Sequence, residues 1–176
     1  MLASFIFFGE HMKIIIEPDQ FNRTLKRMTH EIIERNEDLK RVILVGIEGK
    51  GTPIAREIAK LILQFEGISV PVELIDISAH RDDEKKNLTN KSIFLNNVDD
   101  KIIILVDDVL YTGRSVRAAM DAIIDMGRPA KIELAVLVDR GHRELPIRAD
   151  FVGKSIPTSK DEKVICDFNE KKIIIK

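Results

Sequence analysis

The chain has 176 residues, 44% of them hydrophobic and 32% charged, with a net charge of −1 and a single cysteine, Cys166. That length allows one domain with a sizeable core, and the composition fits a soluble globular protein. A near-zero charge excludes a bulk electrostatic grip on nucleic acid or membrane, so any RNA contact needs a local basic face. One cysteine excludes an internal disulfide and fits a reducing, cytoplasmic compartment.

Residues 1–8 are apolar but lack a basic flank, and Glu10 and His11 end the run. The segment is too short to span a membrane and has no signal-peptide n-region. Residues 1–11 are therefore read as an N-terminal extension, with one domain over 12–176. Residues 19–35 carry Phe21, Leu25, Met28 and Ile32 at helical spacing. Residues 41–47 read as a buried strand, broken by Gly49-Lys50-Gly51. Thr52 and Pro53 suit the N-cap and first position of a helix whose stripe is Ile54, Ile58, Leu61, Ile62 and Phe65, with Gly67 as its stop. Residues 72–78 form a third strand. Residues 80–92 are dense in charged and amide side chains, which is loop composition.

Residues 102–106 are uninterrupted and β-branched, as in a parallel strand buried on both faces. A helix follows with Val116, Ala119, Met120, Ile123 and Ile124 inward and Gly127 at its end. Residues 131–138 and 151–156, and the regions of Val164 and Ile173, complete the strands. Strand and helix alternate, so the class is α/β with a mostly parallel central sheet flanked by helices.

Chemistry gathers at the strand ends. Asp107 and Asp108 close the central strand, where open α/β sheets place ligands. Two carboxylates suit the vicinal hydroxyls of a ribose. The loop Tyr111-Thr112-Gly113-Arg114-Ser115 then opens a helix, whose N–H groups and dipole favour a phosphate. One short stretch can thus hold both ends of a ribose 5-phosphate. Glycines at 46, 49 and 51 permit close backbone approach around the charge of Lys50. Residues 80–91 could close over such a site and exclude water. Residues 139–154 form a basic stretch suited to an anion.

The stretches Val-Asp-Asp-Val-Leu-Tyr-Thr-Gly-Arg-Ser (106–115), 137–154, Ile-Pro-Thr-Ser-Lys (156–160) and 29–36 together resemble the PyrR family of type I phosphoribosyltransferases, over residues 13–165. The resemblance implies that fold, with a flexible flap and a small hood. It implies uracil phosphoribosyltransferase activity: uracil and 5-phosphoribosyl diphosphate (PRPP) give UMP and diphosphate, with Mg²⁺ held mainly by PRPP and no dedicated metal ligands. PRPP would bind at Ile103, Ile104, Leu105, Val106, Asp107, Asp108, Val109, Leu110, Tyr111, Thr112, Gly113, Arg114 and Ser115. Gly49, Lys50 and Gly51 would form the diphosphate loop, and Asp107, Asp108 and Lys50 would be catalytic. Arg140 and Val164 match the base-binding region. The family also binds pyrimidine operon leader mRNA when UMP or UTP is bound, favouring transcription termination. Its basic face matches Lys26, Arg27, His30, Arg35, Arg143, Arg148 and Lys154. Relatives form homodimers or larger homo-oligomers.

Tyr111 stands where purine enzymes of the superfamily generally carry Asp. A phenol with pKa near 10 is a poor base at neutral pH, so the base leans pyrimidine. Three departures bear on catalysis: Lys50 where many relatives have Arg, His80 where they often have Tyr, and a shorter flap. Two other readings stay open: a UMP-sensing RNA-binding regulator with vestigial catalysis, or a phosphoribosyltransferase for another base without an RNA role.

Overall fold

The computed structural model describes residues 12–78 and 94–176. The expected N-terminal extension and flap, including His80, lie outside the described residues. The chain runs β1 (Lys13–Ile16), α1 (Pro18–Arg35), β2 (Val42–Ile47), α2 (Gly51–Glu66), β3 (Val72–Ile75), β4 (Ile102–Leu110), α3 (Arg114–Met126), β5 (Lys131–Asp139), β6 (Phe151–Ser155), β7 (Val164–Asp167) and β8 (Lys172–Ile175).

Among the described residues, five strands form one sheet in the order β3-β2-β4-β5-β6, all parallel. The apolar runs of β2 and β4 occupy its centre because both of their faces are covered. Val42, Leu44, Ile102, Ile104 and Val106 pack toward α1 and α2. The alternating Ile43, Val45, Ile47, Ile103 and Leu105 pack toward α3. This is the two-faced burial of parallel strands, with side chains alternating along each one. Strands β1, β8 and β7 make a small antiparallel sheet, the hood. Phe21 of α1 meets Phe168 of the hood edge-on, with ring centroids 5.9 Å apart.

Helix α1 buries Phe21, Leu25, Met28 and Ile32, the stripe its spacing predicts. Burying each such side chain contributes about 1.5–3 kcal/mol. At its C-terminal end a polar cluster ties it to β5. Glu133, 3% exposed, accepts from Asn36 Nδ2 at 2.9 Å and faces Arg35 at 3.0 Å and Lys131 at 2.8 Å.

Several boundaries differ from the sequence reading. β4 does not end at Val106; it continues through both aspartates to Leu110, because β5 keeps pairing with it as far as Asp139. β3 stops at Ile75 rather than 78. α2 starts at Gly51, so Thr52 lies inside the helix and its hydroxyl points at Ile47 O, 3.5 Å away, instead of capping. Gly67 ends α2 in the left-handed region at φ 68°, as expected. Ile124 is 60% exposed rather than inward. Helical spacing places it on the stripe but does not say how far the sheet extends beneath.

Candidate active site

The C-terminal ends of β2, β3, β4 and β5 share one rim, since the strands are parallel. The loop Glu48-Gly49-Lys50 follows β2 there, with all three residues exposed. Gly51 behind it is buried, and a Cβ on it would sit 2.3 Å from Val106 O. Only glycine lets the start of α2 approach β4 this closely. The approach brings Lys50 Nζ to 3.7 Å from Asp108 Oδ2. The structure therefore brings together the two elements assigned to diphosphate and ribose.

Asp107 and Asp108 bend their carboxylates back on the chain. Asp107 Oδ1 accepts from Asp108 N at 2.8 Å, and Asp108 Oδ1 accepts from Val109 N at 2.9 Å. Burial, and after it the charge of Asp108, raise the Asp107 carboxyl from 3.8 to about 8, with Lys50 pulling the other way. Asp107 lies between two adjoining cavities. One, of about 330 Å³, is lined by Val109, Leu110, Tyr111, Thr112, Gly113, Arg114, Ser115, Val116 and Glu144 as well as Asp107. The other, of about 380 Å³, is lined by Ile47, Glu48, Asp76, Ile77, Ser78, Asp108, Val109 and Ser115 together with Asp107. Gly113, at φ 93°, turns the chain into α3. Arg114, Ser115 and Val116 of the first turn of α3 line the smaller cavity, and a helix N-terminus, whose first N–H groups lack intrahelical partners, suits a phosphate.

The stretch 139–147 is a brace rather than an open basic loop. Arg143 donates to Tyr111 O at 3.1 Å and Ile147 O at 2.7 Å, and pairs with the Asp139 carboxylate. Glu144 N and Leu145 N both donate to Thr112 O, at 3.0 and 3.2 Å. Arg114 Nε donates to Glu144 at 2.7 Å on the lip of the phosphate-side cavity. The 111–115 loop is thus held from behind by its neighbour.

Arg140 is buried, with its guanidinium over the Tyr111 ring and bonded to the 158–162 loop. Val164 opens β7, half-buried against the main core. Two residues on, Cys166 Sγ lies 4.0 Å from Asp108 O. Burial and the nearby Asp108 push its thiol upward, so it serves as apolar filling. Strand β7 of the hood therefore lies against β4 at Asp108.

The residues matched to the RNA face divide in two. Lys26, His30 and Arg148 are exposed. His30 stacks on Phe65 of α2 at 4.4 Å. Arg27 bonds Val152 O and Gly153 O at 3.0 and 2.6 Å, and also pairs with Glu31. Arg35 pairs with Glu133 and Asp150 and lies over Phe151. Lys154 Nζ reaches Ile15 O at 3.4 Å. Arg27 and Arg35, though their side chains are about half exposed, join Lys154 and Arg143 in anchoring α1, β6 and the brace. Sequence reasoning missed Glu144, Asp76 and Ser78 as lining residues. The position of Asp76 one residue beyond β3, on the same rim, was the available signal.

Two adjacent carboxylates on β4, a glycine loop carrying Lys50, and the start of α3 beside a cavity together have the layout of a phosphoribosyltransferase site. Residues 16–170 match the phosphoribosyl transferase domain family. The fold agrees with the hypoxanthine phosphoribosyltransferase of Trypanosoma cruzi, at a TM-score of 0.73 and 17% identity, covering 93% of this chain and 95% of that one. A hypoxanthine phosphoribosyltransferase from Staphylococcus aureus gives 0.70 and 19%, covering 92% and 90%. The chain belongs, within that family, to the PyrR proteins. It is 52% identical over 163 residues to the Bifunctional protein PyrR of Bacillus subtilis, covering 89% of this chain and 90% of that one. It is 54% identical over 160 residues to that of Clostridium novyi, covering 88% and 89%. Among the described residues, no helix is long and apolar enough to cross a membrane.

Proposed function

We propose that the protein transfers the phosphoribosyl group of PRPP to uracil, releasing diphosphate and forming UMP. The observation that carries this is the meeting of Lys50 with Asp108 beside the two adjoining cavities. That arrangement offers separate places for the 5-phosphate, the ribose and the diphosphate of one ligand. In the reaction the C1–O bond to diphosphate breaks, a bond from C1 to N1 of uracil forms, and the N1 proton passes to the departing diphosphate. Positive charge grows on the ribose ring as the leaving group departs. Asp108 faces that charge, joined by Asp107 once it ionises, and Lys50 faces the departing diphosphate, so catalysis is mainly electrostatic and positional. Tyr111 replaces the acid that a purine imidazole would use, and the wall at Val164 and the Arg140-held loop borders the base.

Glu48, Asp76, Asp107 and Asp108 line one cavity with hard oxygen donors, the chemistry that fits Mg²⁺. Among the described residues no three such groups converge on one point. This donor set suits an ion held chiefly by PRPP oxygens, with the two β4 carboxylates alongside. Bound there, Mg²⁺ would offset the diphosphate charge.

The test is diphosphate release from PRPP and Mg²⁺ with uracil, hypoxanthine, guanine or orotate in turn. Turnover with uracil supports the proposal, and turnover only with another base or with none refutes it.

A second activity rests on the exposed Lys26 and His30, one turn apart on α1. It is also supported by the word bifunctional in the relatives' names. In this reading UMP or UTP in the site promotes binding to a pyrimidine operon leader mRNA in the cytoplasm, favouring termination. Pairing two copies as a homodimer, or in a larger homo-oligomer, would double the basic face. Filter binding of the host's own leader RNA with and without UMP checks it, and equal binding in both conditions removes the claim.

A further inference from the structure

Tyr111 stands at the seam between two walls of the site. Its ring borders the phosphate-side cavity. Arg140 Cζ covers that ring 4.1 Å from its centroid. The same guanidinium crosses to the loop ahead of β7, where Nε donates to Thr158 Oγ1 at 2.8 Å and Nη2 to Ser159 O and Glu162 O at 3.0 and 2.6 Å. His142 repeats the connection, meeting Tyr111 edge-on at 5.6 Å while its Nε2 touches Thr158 O. Arg140 is itself fastened to β4, its N–H donating to Leu110 O at 3.0 Å. Only 8% of Arg140 is exposed.

A base-reading arginine would present its donors to the cavity. This one lays its flat face on an aromatic ring and gives its edge to a hydroxyl and two carbonyls. The planar fork of arginine permits that division, which a lysine cannot reproduce. We infer that Arg140 is a positioning residue: through Tyr111 and the 158–162 loop it fixes the spacing between the ribose-phosphate loop and the base wall at Val164. The site then reads a base and its ribose phosphate as one ligand. This rests on the nucleotide reading above and revises the base-contact role expected for Arg140.

The test compares UMP with ribose 5-phosphate, binding each to the full-length protein in a calorimeter. Arg140→Gln weakens UMP by about tenfold and leaves ribose 5-phosphate within about twofold, because misplacing one wall hurts only the ligand that spans both. Tyr111→Phe, which keeps the aromatic face, retains the wild-type ratio of UMP to ribose 5-phosphate affinity. Tyr111→Leu lowers UMP affinity as Arg140→Gln does, and the double variant loses no more UMP affinity than the worse single one, because both remove the same link. Where Arg140→Gln does not fold, Arg140→Lys carries the test, since it keeps the charge and loses the fork. Equal losses for both ligands, additive losses, or unchanged UMP affinity overturn the assignment. A wild type that binds UMP no more tightly than ribose 5-phosphate overturns the nucleotide reading itself. A wild type that prefers UMP, with variants that keep the preference, overturns Arg140 alone.

Discussion

Lys50 Nζ reaches Asp108 Oδ2 at 3.7 Å across the gap between the ends of β2 and β4. The lysine is half exposed, whereas the aspartate side chain is only 17% exposed. The pair therefore joins a solvent-facing cation to a sheltered carboxylate. A diphosphate arriving at this loop takes over part of the lysine's charge. Lys50→Gln should lower kcat/KM for PRPP about a hundredfold, the scale of losing one electrostatic stabiliser. Lys50→Arg keeps the charge and should retain most of the activity. Diphosphate release assays on both variants decide it, and equal losses would show that charge is not what Lys50 supplies.

Asp108→Asn keeps the size of the side chain and removes its charge. It should cut turnover severely while leaving thermal unfolding within a few degrees of wild type. An unchanged kcat/KM would remove Asp108 from the catalytic set.

The Asp107 carboxyl is raised from 3.8 to about 8. Between those values the native chain keeps a proton that the unfolded chain has released. Stability contributed by this group therefore falls as pH rises from about 4 to about 8, and is level above that. Asp107→Asn should remove this slope, so the wild type loses ground to the variant as pH rises from 5 to 8. Melting curves over that range check the sign, and parallel curves for the two proteins would contradict it.

Gly51→Ala puts a methyl group 2.3 Å from Val106 O, a backbone atom in the central strand. Either α2 or β4 must move, at a cost of about 1–3 kcal/mol. The shift would also separate Lys50 from Asp108. Urea unfolding midpoints should fall and PRPP affinity should drop together. A variant that is destabilised but binds PRPP normally would show that the two strand ends need not be so close.

On α1, exposed and inward-tied basic residues should separate by assay. Lys26→Ala should leave stability unchanged and reduce the salt slope of leader RNA binding by about one, as for one lost phosphate contact. Glu133→Gln should instead cost about 1 kcal/mol, because Arg35 and Lys131, both partly exposed, lose their shared carboxylate. A stability loss in the first or none in the second would reverse this division of α1.

The elements most legible in the sequence were those set by local chemistry. β2 and the first half of β4 are apolar without alternation because both faces are covered. The 111–115 loop is readable because a small-residue turn marks the start of a helix, and α3 begins there at Arg114. The end of β4 was less legible: two carboxylates look like a strand terminus, yet pairing with β5 carries the strand on to Leu110. The charges of Arg140 and Arg143 suggested an open anion-binding loop. Arg143 meets Asp139 and Ile147 O nearby, but Thr158, Glu162 O and Tyr111 O lie 18 to 32 positions away in sequence, where no periodicity can reveal them. The burial that shifts Asp107 likewise comes from surroundings assembled only in the fold.

The hood sheet pairs β1, near the start of the chain, with β8, near its end: Lys13 lies opposite Ile175, and Ile14 opposite Ile174. During synthesis β1 must therefore wait for nearly every other residue before it finds its partner. Contacts of such long sequence separation close late and slowly. The wall at Val164 and Cys166 is part of that same sheet. The five-stranded sheet needs nothing beyond Ser155, so it can form before the hood closes over its rim.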